Sequence, residues 1–434
     1  MGSDPSSVPD SDSGSPDRSG PESSGPASTG PESAGQTRAS SARPRLRVLI
    51  PKGLAALAGQ SGIGEAIRHQ RRAVESLGHE VVTSPFADFD VVHLNTPFPD
   101  TPLLAAWAHL RRRPVMMWAH STEEDFRDSF TGANRIAPWF RRWIAWIYRR
   151  GDAVITPTPY AQGLISRPRY GIRRPIHVLS NGVDTTFFRR REGDAAALRE
   201  RLGLPADARV VMSVGLQMVR KGILEWIEVA RALPEVTFVW YGRTDPRLIT
   251  EEVSSAVASA PSNCLFPGFV APEQLREAYG GADAFCFLTK EETEGIVLLE
   301  ALSCEAPVLL SDIPIYSDWL PDGEVVHKVA VPPAKAVGSK TPGAAHVRGQ
   351  AAERIAGRLR SLLDGELTDL SAAGRRAAEA VDMHEVAASL QGIYEAERVT
   401  EGTKSTGISA RRRASTAPSL RSPHGQDAGR AAER

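Results

Sequence analysis

Short apolar runs recur along the chain, and each is followed by a polar turn and a segment with helical spacing. The first half contains LRVLIP (46–51), DVVHLN (90–95), PVMMWAH (114–120) and DAVITPT (152–158). After the first of these, SGIGEAIRHQRRAVESLGHEVV (61–82) predicts a glycine turn, an amphipathic helix that stops at Gly78 and another strand. Strands that alternate with helices in this way predict a parallel sheet.

The same alternation starts again after HVLSNGVDTTFF (177–188). Predicted strands are VVMSVG (210–215), VTFVWYG (236–242), NCLFPGF (263–269), AFCFLT (284–289) and PVLLSD (307–312), and GILEWIEVARAL (222–233) is a predicted helix. Farther on, 332–349 is typical of a surface loop and 351–364 of a helix. We therefore predict an α/β protein with two Rossmann-like domains facing a cleft, at 45–183 and 184–400.

Composition limits the folded part of the 434-residue chain. Residues 1–44 and 401–434 have too few apolar side chains to offset the entropy of ordering them, so both are predicted disordered tails. The three cysteines show no metal-like or paired spacing, which favours a reducing compartment. No apolar run approaches the ~20 residues that span a bilayer. We expect a cytoplasmic protein, soluble or peripheral to a membrane.

The formal net charge of zero conceals an asymmetry between the two halves. Residues 45–174 carry 19 Lys/Arg against 11 Asp/Glu, whereas residues 175–400 carry 23 against 32. The first predicted domain is therefore suited to an anionic surface, and the second is not.

Glutamates cluster in FLTKEETEGIVLLEALSC (287–304), between a predicted strand and the next helix. In open α/β sheets that edge binds ligands, and a helix N-terminus favours phosphate. Glu291 and Glu294 are expected to be solvated near the helix start. Glu300 is surrounded by apolar residues, so its carboxylate needs hydroxyl donors or a cation. A ligand diol and a buried arginine both satisfy that need.

A second polar segment, SVGLQMVRKG (213–222), follows another predicted strand at the same sheet edge. Its Arg220 and Lys221 are suited to neutralising a diphosphate and stabilising a leaving group. The alternative is a pair of exposed cations at a loop tip.

These segments carry a family resemblance. VGLQMVRKG, SNGVDTTFF and the whole of 263–312 resemble the C-terminal half of family 4 glycosyltransferases, which are retaining, nucleotide-sugar-dependent enzymes of GT-B fold. The family signature is a pair of glutamates with seven residues between them, and Glu292 and Glu300 have that spacing. The resemblance covers nearly all of residues 45–400.

The resemblance implies a role for each matching position. It puts Glu292 on the transferred sugar, Glu300 on the ribose hydroxyls and Lys221 on the diphosphate, with Arg220 beside it. His120 resembles the histidine that faces the reacting sugar. The other implied donor-site positions are Gly215, Gly268, Phe269, Val270, Gly295, Ile296 and Val297, and the implied glycine loop near donor phosphate and acceptor is Ser61, Gly62, Ile63 and Gly64.

The sequence departs from the family at the position after Gly215, where Leu216 replaces the usual arginine. Arg220 is the candidate for the missing charge. The usual Ala-Cys-Gly-Pro stretch is also changed (303–307), and the second glycine-rich loop is reduced to YGRTD (241–245). The Asp-x-Asp segment at 88–90 directly precedes a strand and is typical of a turn. We expect a UDP-sugar donor substrate and no metal cofactor.

The segment Trp118–Asp152 is basic and rich in tryptophan. An amphipathic helix of this composition is suited to the interface of an anionic membrane, although a helix packed on the sheet with a solvated arginine face fits equally well. A second helix, LLAAWAHLRRR (103–113), adds Trp107 and three arginines to the same domain. Together with the positive charge, this favours a lipid-facing acceptor domain. The candidate membrane residues are Trp139, Phe140, Arg141, Arg142, Trp143 and Trp146.

SGIGEAIRHQ, HSTEEDFRDSF, TPTPY, RKGILEW and TKEETEGIVLLEAL resemble a bacterial group within the family. Its members glycosylate diacylglycerol or glucosyl-diacylglycerol, usually from UDP-glucose or UDP-galactose, and make glycolipids and lipoteichoic-acid anchors. The resemblance implies a hexosyltransferase on the inner face of the plasma membrane, with a nucleotide sugar, a lipid acceptor and an anionic membrane surface as partners. A soluble sugar or polysaccharide-precursor acceptor is the alternative.

Two other protein classes fit poorly. In GQSGIG (59–64) the glycine order is wrong for a dinucleotide-binding fingerprint, which argues against an oxidoreductase. The basic aromatic stretch is local, and no nucleic-acid-binding module accompanies it.

Overall fold

A computed structural model describes residues 44–54, 56, 62–337, 341–397 and 399. Apart from Pro44, both predicted tails lie outside the described residues, as does Ser61 of the predicted glycine loop. The chain builds two six-stranded sheets in which neighbouring strands run parallel. The predicted pair of Rossmann-like domains is confirmed.

The first sheet has the strand order β2-β1-β3-β4-β5-β6. Its strands are β1 (Arg47–Leu49), β2 (Glu80–Val82), β3 (Val91–Leu94), β4 (Val115–Trp118), β5 (Ala153–Thr156) and β6 (Ile176–Val178). The helices between them are α1 (Gly62–Ser76), α2 (Asp100–Leu110), α3 (Glu123–Phe126), α4 (Ala133–Tyr148) and α5 (Pro159–Ile165). Strands β3, β4 and β5 are buried along their whole length, as their continuous apolar runs predict.

The second sheet has the strand order β12-β11-β10-β7-β8-β9. Its strands are β7 (Val210–Val214), β8 (Thr237–Tyr241), β9 (Cys264–Gly268), β10 (Ala284–Phe287), β11 (Val308–Ser311) and β12 (His327–Val329). Its helices are α6 (Asp194–Leu202), α7 (Ile223–Ala232), α8 (Glu251–Ala258), α9 (Pro272–Gly281), α10 (Ile296–Ser303), α11 (Ala334–Val337), α12 (Ala344–Leu363) and α13 (Ser371–Glu379).

The final helix, α14 (Met383–Ala396), returns to the first sheet, although the sequence assigned it to the second domain. Its Leu390 and Tyr394 are buried with Val48 and Trp118 in one hydrophobic cluster. The Tyr394 hydroxyl also lies 2.9 Å from Nε2 of His93. The chain therefore crosses between the two sheets twice.

The two crossings are hydrogen-bonded to each other. The backbone N–H of Val183 donates to the carbonyl of Val381 at 3.2 Å, and the N–H of Met383 donates to the carbonyl of Val183 at 3.1 Å. The linker between the sheets therefore consists of two hydrogen-bonded segments, one leading to Val183 and one running from Val381 to Met383.

The remaining differences from the predicted elements are local. The helix predicted at 351–364 begins earlier, at Ala344, so part of the predicted loop at 332–349 is helical. Short strands β6 and β12 were not predicted, since their three residues carry too little pattern. Among the described residues, no helix is both long and apolar enough to cross a membrane.

Candidate active site where the two sheets face each other

The carboxyl ends of the two sheets lie against each other. Thr158, which follows β5, donates to the carbonyl of Thr293 at 2.9 Å, and Thr293 follows β10. The Thr293 hydroxyl donates in turn to the carbonyl of His120, which follows β4, at 3.3 Å. Ligands of doubly wound sheets bind at this edge, beside the point where the strand order reverses.

In the second sheet the strand order reverses between β7 and β10. The loop after β7 carries Arg220 and Lys221, and the loop after β10 carries Glu292. The topology therefore brings together the two polar segments that the sequence singled out.

Lys221 and Glu292 form an ion pair in which the half-buried lysine ammonium donates to Oε1 of the buried carboxylate. The Thr289 hydroxyl donates to the same oxygen at 2.8 Å. Burial raises the pKa of Glu292, but the positive charges of Lys221 and Arg220 lower it by a larger amount. The net pKa therefore lies below its usual range. Glu292 is therefore an anion held by a cation and a hydroxyl.

Arg220 connects the two sheets. Its Nη1 lies 2.9 Å from Oδ1 of Asp125 in the first domain and 2.7 Å from the carbonyl of Glu291, while its Nε donates to Ser129 at 3.1 Å. Nη1 is also 3.9 Å from Glu292. Arg220 and Lys221 thus balance the charges of Asp125 and Glu292, and Nε and Nη1 of Arg220 are engaged by protein groups.

Glycines shape both loops. Gly222 has φ +77°, and a Cβ there would lie 2.1 Å from the carbonyl oxygen of Leu288. The close approach of the β7 and β10 loops therefore requires glycine directly after Lys221. Gly295 has φ +95° and caps α10, and a Cβ there would lie 2.7 Å from the hydroxyl of Tyr316.

Glu300 is 3% exposed and accepts a hydrogen bond from the Tyr279 hydroxyl at 2.9 Å. Each of Glu65, His69 and Glu300 has one atom that could ligate a metal ion, a ring nitrogen of the histidine or a carboxylate oxygen of the glutamates, and these atoms lie within 4.8 Å of one another. Burial, reinforced by Glu65, raises the pKa of Glu300 to about 7. Its surroundings are a tyrosine hydroxyl and a glutamate–histidine pair, so the arginine partner considered from the sequence is not among its described contacts.

The expectation that Glu291 and Glu294 are solvated is wrong. Glu294 is buried and accepts from the N–H of Asn181 at 3.0 Å and from its side-chain amide at 2.6 Å. Glu291 is half-buried and accepts from the Tyr160 hydroxyl at 2.8 Å. Burial raises the pKa of each carboxyl to about 7. Both acids bind groups that lie more than a hundred residues away in the chain.

His120 is buried and lies 3.1 Å from Oδ1 of Asn95 through its Nε2. The Asn95 amide donates to Oε1 of Gln70 at 3.0 Å, so Oδ1 of Asn95 is oriented as the acceptor. This assigns the proton of His120 to Nε2 and leaves Nδ1 as an acceptor. Burial lowers the pKa of His120 to about 4, so the ring is neutral at pH 7.

The other predicted donor-site positions lie at the same edge. Gly215 follows β7, and Gly268 ends β9. Phe269 is 47% exposed, whereas Val270 is half-buried and packs against the second-domain core. Ile296 and Val297 form the first turn of α10, where the N–H groups of a helix lack helical acceptors. Their roles remain predictions.

The described part of the predicted glycine loop, Gly62 to Gly64, forms the first residues of α1 and not an open loop. The preceding segment, including Ser61, lies outside the described residues. Helix α1 follows β1, and the order of the first sheet reverses between β1 and β3. The predicted loop is therefore at the switch point of its own sheet.

Of the six predicted membrane residues, Trp139 and Arg142 are exposed. Trp139 is 69% exposed, and the Arg142 guanidinium lies 5.1 Å from its ring centre. The other four are half-buried and have internal partners: Phe140 stacks on Phe126, Arg141 pairs with Glu123, Trp143 donates to Pro97 and stacks on Trp146, and Trp146 lies under Arg150.

Other apolar side chains are exposed on the same face of the first sheet. Ile136 of α4 is exposed, as are Leu103 and Leu110 of α2 and Phe86 before β3. Helices α2 and α4 are successive crossovers in the same direction and share one hydrophobic cluster, so they cover the same face. The exposed apolar surface is broader than the sequence predicted, but it uses fewer of the named residues.

Sequence reasoning missed several site residues. Asn95 directly follows β3 at the switch point, a position that the rule for ligand edges could have identified. Asp125 lies in an acidic run whose partner, Arg220, is distant in sequence. Glu65 and His69 belong to an amphipathic helix pattern, which gives no sign that they approach Glu300.

Two family models match the chain. Residues 37–187 match the family described as Glycosyltransferase Family 4, and residues 194–366 match Glycosyl transferases group 1. The chain is 38% identical over 275 residues to the processive diacylglycerol alpha-glucosyltransferase of Acholeplasma laidlawii, covering 63% of this chain and 81% of that protein.

Two further proteins are similar. The alpha-galactosylglucosyldiacylglycerol synthase of Streptococcus pneumoniae is 28% identical over 284 residues, covering 63% of this chain and 74% of that one. The fold is similar to the crystal structure of Anabaena HepE in complex with UDP and glucose, with a TM-score of 0.60 at 16% identity, covering 81% of this chain and all of that one.

Proposed function

The chain belongs to glycosyltransferase family 4, and on that basis we propose that it is a retaining hexosyltransferase that glycosylates a diacylglycerol-type membrane lipid from a UDP-sugar. The observation that carries the proposal is the Lys221–Glu292 ion pair beside α10, opposite His120 of the first domain. The 38% identity to a diacylglycerol glucosyltransferase supports the choice of acceptor.

The proposed donor site uses the charges of the second domain. Lys221 neutralises the diphosphate, and the first turn of α10 directs its N–H groups toward it. Glu292 accepts hydrogen bonds from hydroxyls of the transferred hexose, and Glu300 accepts those of the ribose. When the Lys221 ammonium moves from Glu292 to the diphosphate, the Glu292 carboxylate becomes free to bind the sugar. One rearrangement therefore prepares both contacts.

In the proposed reaction the bond between the anomeric carbon and the phosphate oxygen breaks, and the bond to the acceptor oxygen forms on the same face. The acceptor proton passes to the departing phosphate oxygen, so no enzymic nucleophile is required. Lys221 stabilises the charge that develops on that oxygen. His120 is neutral, and its Nδ1 is available to accept a hydrogen bond from the sugar.

We propose that the acceptor reaches this site from a membrane. The exposed apolar residues of α2 and α4, with the arginines at 111–113 and Arg142, form a basic amphipathic surface on the first domain. A peripheral attachment to the anionic inner face of the plasma membrane fits this surface and a cytoplasmic supply of nucleotide sugar.

We also propose that the transfer needs no metal ion, because Lys221 and a helix N-terminus supply the positive charge at the diphosphate. The grouping of Glu65, His69 and Glu300 has atoms that a divalent ion accepts as ligands, so the proposal requires a direct test. Excess EDTA should leave the initial rate unchanged, and restoration of a lost rate by a divalent ion would contradict it.

The test of the function is an assay of the purified full chain with UDP-glucose or UDP-galactose and vesicles of diacylglycerol or its monoglucoside in anionic phospholipid. Mass spectrometry should detect addition of one hexose to the lipid, and NMR of the product should show an α-linkage. The E292Q variant is the control for contaminating activity. Transfer to soluble sugars alone, or to no acceptor in the panel, would overturn the proposal.

A further inference from the structure

His69 is a buried residue of α1 that contacts the linker between the two domains. Its Nδ1 lies 2.9 Å from the carbonyl oxygen of Gly182 and 3.2 Å from that of Asn181. A carbonyl only accepts, so Nδ1 carries a proton and donates to the linker. The position of that proton determines what the other ring nitrogen can do.

The second ring nitrogen, Nε2, faces carboxylates. It lies 3.3 Å from Oε1 of Glu65, and the side chain of Glu300 completes the group within 4.8 Å. His69 is 1% exposed, so water does not screen this contact. An unprotonated Nε2 would direct a lone pair at the carboxylates, whereas an imidazolium donates toward them and offsets one negative charge.

The pKa of His69 agrees with the charged form. Burial lowers it, but the nearby Glu65 carboxylate and the charge of Glu300 raise it, and the net pKa lies above its usual range. Arg68, one turn from Glu65, is the other charged group here and pairs with that carboxylate. Glu65 thus has Arg68 and His69 as partners, while Glu300 accepts a hydrogen bond from the Tyr279 hydroxyl and is stabilised as an anion by the charge of His69, with a smaller contribution from Arg68.

The linker is held from the second domain as well. Glu294 accepts hydrogen bonds from the backbone and side-chain amides of Asn181. The backbone carbonyl of Asn181 accepts the hydrogen bond that Nδ1 of His69 donates. His69 therefore lies between the linker carbonyls on one side and the carboxyl groups of Glu65 and Glu300 on the other.

We propose that His69 is a positioning residue for the donor nucleotide: as an imidazolium fixed by the linker carbonyls, it opposes protonation of Glu300 and orients the carboxylate to accept hydrogen bonds from the ribose hydroxyls. This inference rests on the proposed function, because it takes the ligand of Glu300 to be a nucleoside diphosphate sugar. It assigns to the first domain a part in binding the nucleotide that the second domain carries.

The experiment separates the charge of His69 from its contact with the linker. In H69Q the glutamine amide still donates to the linker carbonyls but carries no charge. H79Q is the matched control, since His79 is also a buried histidine. It lies just beyond the C-terminal end of α1, with its Nε2 3.3 Å from Oε1 of Gln391. Calorimetry measures the Kd of UDP and of 2′,3′-dideoxy-UDP for each variant.

We expect H69Q to weaken UDP binding about tenfold, as for the loss of one buried charge-assisted contact, and to weaken dideoxy-UDP binding less than twofold. H79Q should change neither. Partial unfolding of H69Q lowers both apparent affinities equally and cancels in their ratio. In steady-state assays H69Q should raise the KM for the donor and leave kcat within about twofold.

A second measurement tests the path through Glu300. In an E300Q background, H69Q should add no further loss of UDP affinity, because the carboxylate on which it acts is gone. Equal losses for UDP and dideoxy-UDP, or unchanged UDP binding by H69Q, would overturn the inference alone. Absence of UDP binding by the wild-type chain would overturn the proposed function with it. H69N serves as the second variant if H69Q does not fold.

Discussion

The ammonium group of Lys221 donates a hydrogen bond to the carboxylate of Glu292, which is buried, while Lys221 is half-buried. Each side chain neutralises the charge of the other, so neither the Lys221 ammonium nor the Glu292 carboxylate is unpaired. The cost of removing one partner is therefore larger than the net stability that the pair contributes.

We predict that K221M and E292Q each lower kcat by about 10²–10³, the range found when one preorganised transition-state contact is removed. The matched control is K290M, because Lys290 lies in the β10 loop with Glu292 but pairs with a different carboxylate, that of Glu225, at 2.7 Å. K290M should lower the melting temperature while retaining kcat. Equal loss of kcat in K290M would show that K221M acts through the fold.

A second prediction concerns pH. Burial, with Glu65, raises the pKa of Glu300 to about 7 in the free protein, and only the carboxylate accepts two hydroxyl hydrogen bonds. We therefore expect kcat/KM for UDP-glucose to rise as pH increases through about 7, since this ratio reports the free enzyme. UDP-glucose suits the measurement because its diphosphate does not titrate in this range.

The pKa values of Glu291 and Glu294 are also raised to about 7, so E291Q and E294Q are the controls for this assignment. Both controls should keep the rise through pH 7, whereas E300Q should bind the donor weakly and without that step. Stability runs in the opposite direction. A carboxyl whose folded pKa is raised contributes stability that is present below the unfolded value of about 4.5 and is lost as pH rises through about 7.

The sequence predicted the parts of the site that follow from local pattern. Glu292, Glu300 and Lys221 could be placed because each follows or enters a recognisable strand–loop–helix unit, and parallel strands bring their carboxyl ends to one edge. The return of α14 could not be predicted, since its apolar face fits either sheet equally well. The same limit applies to Glu294, whose partners Ser180 and Asn181 lie in the linker.

Burial of acidic residues was the commonest error. An exposed loop and a buried loop with the same letters differ only in what packs against them, and for Glu291 that is Tyr160 of the first domain. The predicted membrane helix shows the same effect, because Trp143 and Trp146 fill the space between α4 and the rest of its layer. Amphipathic spacing identifies a helix with two faces but does not say where the boundary between them lies.

A third prediction tests the backbone after Lys221. Gly222 and Gly268 have the same φ of +77°. A Cβ added at Gly222 would lie 2.1 Å from the carbonyl oxygen of Leu288, whereas a Cβ added at Gly268 would have no atom within 4 Å. G268A should lose about 1–2 kcal/mol, the cost of a left-handed conformation in an L-residue. G222A should lose clearly more, about 3 kcal/mol or above, because the β10 loop must also move. Urea unfolding of both variants measures the difference.

The last prediction concerns the membrane surface of α2 and α4. Charge reversal of Arg142 should weaken flotation with vesicles that contain anionic lipid, because each juxtamembrane arginine contributes about 1 kcal/mol of attraction. The matched control is R247E, which makes the same change of charge at a side chain 88% exposed in the second domain. W139A should weaken binding even in high salt, since apolar insertion is not screened, whereas the effect of R142E should vanish there. Equal flotation of R142E and R247E, or of W139A and the wild-type chain, would place the membrane contact elsewhere on the protein.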